Sequence, residues 1–173
     1  NAMDYSRSYD SNGRRILNAP PIVTKSYSLS FDGLGGYVRN NVKQVYDSRL
    51  WNTFGKTVLF SSEVFGFSSD ESDITWGRGL TDQWNSKEYG DGNFDNPLPK
   101  SDGSKSASYL KTDYSDSYDL TTSRPTNAPT SSGFSWASDG TAIERVNGTL
   151  TNLGYTKTDI TQVFDGDIWR NTG

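Results

Sequence analysis

From residue 85 to residue 140 the chain is dominated by Ser, Asp, Asn, Gly, Thr, Pro and Tyr. A stretch of this composition brings little aliphatic surface to a core. The apolar side chains that offset the loss of chain entropy must therefore come mostly from the segments flanking it. Regular structure is expected to be sparse here. A long irregular segment inside a compact domain is expected to be functional, tied down by a ligand, or simply a solvated loop. Within it, SKSASYLKTDYSDSYDLTTS alternates Tyr and Leu and reads as an edge strand.

The flanking segments are not rich in aliphatics either. Only 32% of the 173 residues are hydrophobic, and five Trp, ten Tyr and eight Phe stand against a single Met. A compact core built from rings, joined by long connections, is the expected result. The length fits one domain, taken as residues 3 to 173. The opening NAM reads as a tag remnant, Asn1 and Ala2, ahead of a start methionine.

Local patterns divide the rest. Residues 3 to 20 are polar, contain a DSNG turn and meet a stop at Pro20 and Pro21, which marks an arm or an edge segment. In IVTKSYSLSF, from Ile22 to Phe31, Tyr27, Leu29 and Phe31 alternate with serines and predict a half-buried strand. After DGLGG, Val38, Val42, Val45 and Tyr46 recur at three and four residues, and the spacing predicts a helix. KTVLFSSEVFGF, from Lys56 to Phe67, is β-branched and aromatic and predicts a strand or hairpin, and ITWGRG around Trp76 predicts a further short strand.

Toward the C-terminus, Ile143, Val146, Leu150 and Leu153 are spaced for one helix face, with Gly154 as a C-cap. Thr156 and Asp159 then have capping-box spacing ahead of Ile160, Val163, Phe164 and Ile168. Residues 138 to 171 are therefore expected to form a helical hairpin. The junction LTNLGYTKTDITQVF resembles DNA-binding helix-turn-helix motifs, with Gly154 six residues before Ile160, and its LGY turn resembles ubiquitin-associated domains. Asp159, Asp165 and Asp167 would face phosphates unfavourably, which leaves a structural hairpin as the reading. The fold class expected is α+β: a mixed or antiparallel sheet, a long irregular middle and a C-terminal helical hairpin.

The chemistry is bounded by what is missing. The sequence has no His and no Cys. Imidazole-based triads, thiolate nucleophiles and the usual zinc sites are excluded on that ground. Paired carboxylates survive as a catalytic option, with Glu63, Glu71, Glu88 and Glu144 available, but no spacing selects a pair. A net charge of -4 leaves no basic surplus for nucleic acid. No apolar run approaches the roughly 20 residues that span a bilayer, so no membrane insertion is expected.

In YGDGNFDNPLPKSDG, Asp91, Asn93, Asp95 and Asp102 occupy positions one, three, five and twelve of a loop that resembles the EF-hand type. The resemblance implies a calcium ion held by those four residues. Asn96 and Pro97 stand at the turn, and Asp102 is shorter than the usual Glu, so a single dockerin-like loop is the form expected. YSLSFDGLGGYV resembles the opening of laminin-G or concanavalin-like sandwich domains, which implies glycan and calcium binding at a cell or virion surface. Trp76, Trp84 and Trp136 lie in polar, glycine-containing surroundings and are the candidate sugar-stacking residues, whereas Trp51 and Trp169 are expected in the core. The function expected is a non-catalytic binding domain for glycan, stabilised by calcium. The alternative is a protein-interaction or assembly component of phage, effector or immunity type, and a carboxylate glycoside hydrolase stands third. An extracellular or virion-surface location is favoured over a cytoplasmic one.

Overall fold

The computed structural model describes residues 3–23, 26–31, 36–69, 100, 102–140, 144–146, 149–151 and 154–172. Its strands are β1 (Met3–Asp4), β2 (Ile22–Val23), β3 (Ser26–Phe31), β4 (Tyr37–Tyr46), β5 (Leu59–Ser69), β6 (Lys105–Asp113), β7 (Thr130–Ser138), β8 (Glu144–Val146), β9 (Thr149–Thr151) and β10 (Tyr155–Val163). Two helices of seven residues, α1 (Ser48–Phe54) and α2 (Gly166–Thr172), complete the described elements.

Six strands form one antiparallel sheet in the order β10-β7-β6-β5-β4-β3. Spatial order follows chain order, with the small β8-β9 hairpin falling between β7 and β10. The ladders are regular except for one register shift between Val45 and Tyr46. The molecule is thus nearly all-β, and the α+β expectation with its helical hairpin is overturned.

Three local corrections account for the difference. Val38, Val42, Val45 and Tyr46 belong to strand β4, because β-branched and aromatic residues suit a pleated surface and the neighbouring β5 supplies a ten-residue partner ladder. Helix begins only after Asp47. The segment read as an edge strand, around Tyr109 and Leu110, is β6 and pairs on both sides, and β7 also lies inside the stretch expected to be irregular. The helical hairpin is instead the β8-β9 hairpin followed by β10, whose Thr156, Thr158, Ile160, Thr161 and Val163 are all β-branched. The helix-turn-helix and ubiquitin-associated resemblances fall with it. Among the described residues a single large sheet stands where a sandwich-type resemblance implies two. The expected strand at ITWGRG lies outside the described residues.

Both helices and the N-terminal arm pack at one end of the sheet, whereas Phe67 and Ala107 are buried toward the other. Asp47 caps α1 by accepting from the backbone N–H of Arg49 at 2.8 Å and of Leu50 at 3.3 Å, and Gly55 ends the helix with φ 70°. The helix buries Leu50 and Trp51, the latter 1% exposed as its core assignment requires. Tyr9 of the N-terminal arm meets the Trp51 ring edge-on, with centroids 5.8 Å apart, and Arg15 lies over the same ring. At the same end, the segment between β6 and β7 is pinned by Arg49 Nη2 donating to the Ser115 carbonyl at 2.6 Å. Trp169 of α2 is half-buried against Tyr118 and Tyr114.

Candidate functional site

Opposed residues of an antiparallel ladder point to the same face, so the register sorts the sheet into transverse rows. One face carries the rings. Its central row runs Asn41, Phe65, Tyr109, Phe134 and Asp159, one from each of β4, β5, β6, β7 and β10. The row on one side is Arg39, Phe67, Ala107, Trp136 and Lys157, and the row on the other begins Lys43, Glu63, Lys111.

Ring contacts are continuous across three strands. Phe65 and Tyr109 have centroids 5.0 Å apart, and Tyr109 and Phe134 are 6.1 Å apart. Lys157 Nζ lies 5.5 Å from the Phe134 centroid, and Trp136 stacks on Tyr155 at 6.0 Å. Phe65, Tyr109, Phe134 and Trp136 are half-buried, whereas Phe67 is buried.

Polar groups border these rings. Glu63 accepts a hydrogen bond from the Tyr109 hydroxyl at 3.4 Å and pairs with Lys43 Nζ at 3.4 Å. Burial pushes the Tyr109 hydroxyl pKa up, and the nearby Glu63 charge and its hydrogen bond push in the same direction. Tyr109 is accordingly held neutral as a donor. Arg39 and Asn41 are buried and joined by a 3.0 Å hydrogen bond from Nε to Oδ1.

Lys43 also lines a groove of about 490 Å³ between the end of β4 and the arm, with Arg7, Pro20, Pro21, Ile22 and Tyr46 among its walls. The opposite face of the sheet is different in kind. Its middle row is Asn40, Gly66, Ser108, Ser135 and Thr158, and a depression of about 230 Å³ there has no charged residue in its lining.

Of the residues singled out from sequence, Trp136 joins the aromatic face. Trp76, Trp84, Asp91, Asn93 and Asp95 lie outside the described residues. Asp102 is exposed in the turn leading into β6, where it accepts from the Ser104 N–H at 2.9 Å; hydrogen bonds from Ser104 hold its carboxyl below the usual range. Among the described residues no group of three acids is placed to hold a metal ion. Of the four glutamates, Glu63 lies on the aromatic face and Glu144 in β8, and Glu71 and Glu88 lie outside the described residues.

Sequence reasoning missed Phe65, Tyr109 and Phe134. Each sits in an alternating segment, VFGF, SYLK or GFSW, but that they share a face follows only from the register.

Among the described residues, fold and site together define an antiparallel meander sheet with one aromatic, charge-bordered face and one uncharged face. Comparison with known proteins finds no match: no protein family, no curated protein and no solved structure matches the chain.

Proposed function

We propose that this chain is a non-catalytic carbohydrate-binding module that uses its aromatic face as the platform. The observation that carries the reading is the unbroken run of Phe65, Tyr109 and Phe134 across adjacent strands, bordered by Glu63 and Lys43 on one side and Lys157 at its end. A sugar presents apolar C–H faces, which stack on rings, and hydroxyls, which bond to fixed polar groups, so this combination suits it. Rings held on strands lose little freedom on binding. The reading goes with a place at a cell or virion surface and with protein or glycan partners in preference to nucleic acid.

The calcium loop at Asp91, Asn93, Asp95 and Asp102 is kept as part of the proposal. It rests on the spacing of oxygen ligands alone.

A glycan array followed by titration calorimetry tests the platform. Binding of an oligosaccharide class by the wild type is expected, with at least tenfold weaker binding by Tyr109→Ala and by Phe134→Ala at a retained cooperative melt. Absence of any glycan ligand, or binding that survives the double substitution, removes the proposal.

A further inference from the structure

The sheet has two edges, and they differ. β3 is six residues long, whereas β10 runs for nine residues in unbroken register with β7. Natural edge strands are usually shortened, bulged, interrupted by proline, charged or covered. β10 has no proline, no glycine and no register shift, and eight of its nine residues are exposed. Among the described residues no strand pairs with its outer side. Its only charges are Lys157 and Asp159, two residues apart on one face, 3.8 Å from each other and both exposed.

That placement is self-complementary. When two copies of β10 pair antiparallel about a two-fold axis at Thr158, Lys157 of one copy stands opposite Asp159 of the other, and the same pair repeats across the axis. Tyr155 then faces Thr161, and Thr156 faces Ile160. Charges that would repel a foreign edge of random register favour this one register with a second copy.

We infer that β10 is a self-association edge through which two copies of this chain join their sheets into one continuous twelve-stranded sheet. The inference does not rest on the carbohydrate reading: backbone pairing uses the outer side of β10, and although Lys157 and Asp159 also lie at the end of the ring rows, association is read by sedimentation and cross-linking and not by glycan binding.

Sedimentation velocity from low micromolar to near millimolar concentration reads the association, and paired charge reversals read the register. Lys157→Glu alone places acid opposite acid, and Asp159→Lys alone places lysine opposite lysine. Each is expected to weaken the dimer by about tenfold or more. An equimolar mixture of the two variants restores both pairs and is expected to form a heterodimer. The chain has no native cysteine, so Thr158→Cys supplies a single thiol on the axis, where opposed Cα atoms about 4.5 to 5.5 Å apart allow a disulfide. Under mild oxidation it is expected to cross-link, whereas Thr156→Cys, which faces Ile160, is not. A wild type that stays monomeric throughout, charge variants that fail to rescue each other, or equal cross-linking at both positions would overturn the inference.

Discussion

The indole Nε1 of Trp51 donates to the backbone carbonyl of Ile16 at 2.9 Å, across 35 residues of chain. This bond, the Tyr9 ring edge and the Arg15 guanidinium above the indole fasten a polar arm to a helix of only two turns. Neither partner is stable alone, since a short helix is marginal in water and the arm has little regular structure.

Trp51→Ala is therefore expected to destabilise the fold by about 3 to 5 kcal/mol, through lost burial and a cavity. Trp51→Phe keeps an aromatic ring but removes the donor, and a smaller loss of about 1 to 3 kcal/mol is expected. Urea denaturation measures both. Equal stability of Trp51→Phe and wild type would show that the Ile16 bond contributes nothing.

Asp47 sets a pH limit. Burial alone would push its carboxyl pKa up, but the hydrogen bonds from Arg49 and Leu50 outweigh it and hold the group below its ordinary value. The folded state thus binds fewer protons at this site than the unfolded chain. Its contribution is complete above the ordinary Asp value of about 4 and is lost as pH falls through the lower folded value. Asp47→Asn keeps a capping oxygen without the charge. At pH 7 it is expected to be less stable by about 1 to 3 kcal/mol, and the gap to wild type should close as pH falls below about 4. A gap of constant size in thermal melts across that range would contradict the assignment.

Two glycines of the sheet differ in tolerance. A Cβ on Gly133 would run into the backbone carbonyl of Tyr109, which cannot move without opening the β6-β7 ladder. A Cβ on Gly66 would crowd only the Ser108 hydroxyl and the Asn40 amide, both ends of rotatable side chains. Gly133→Ala is expected to cost about 2 kcal/mol or more, and Gly66→Ala less than half as much. Chemical denaturation of the two variants side by side decides this, and the reverse order would be inconsistent with the packing described.

Calcium binding is read by thermal melting with millimolar calcium against EDTA. A ligand selective for the folded state raises the melting temperature with concentration, by about 2.7 kcal/mol of stability at a hundredfold excess over Kd. Asp91→Asn together with Asp95→Asn is expected to abolish the rise. An unchanged melting temperature in the wild type rules the site out.

The sequence was most legible where alternation was strict. Leu29 and Phe31, alternating with Ser28 and Ser30, sit in β3 as their pattern predicts, and the LFSSEVFGF part of KTVLFSSEVFGF lies in β5. It misled where apolar residues fell at three and four by coincidence. Val38 and Val42 lie on one face of β4 and Val45 on the other, while Ile160 and Val163 point to opposite faces of β10 and Ile168 belongs to α2. Propensity for the β conformation, carried by Val, Thr and Tyr, outweighed that spacing because neighbouring strands were present to pair. The aromatic row was illegible for a different reason. Phe65, Tyr109 and Phe134 come from strands up to 69 residues apart in sequence, and no local pattern encodes their alignment.

Spatial order that follows chain order also bears on how the molecule assembles. Each new strand can zip onto a rim already present, so most contacts form without threading one part of the chain past another. The exception is the join from Ser69 to Lys105, the widest gap between consecutive partners in the large sheet. Closing that gap carries the largest entropic penalty of any hairpin here, which makes docking of β6 onto β5 the expected kinetic bottleneck.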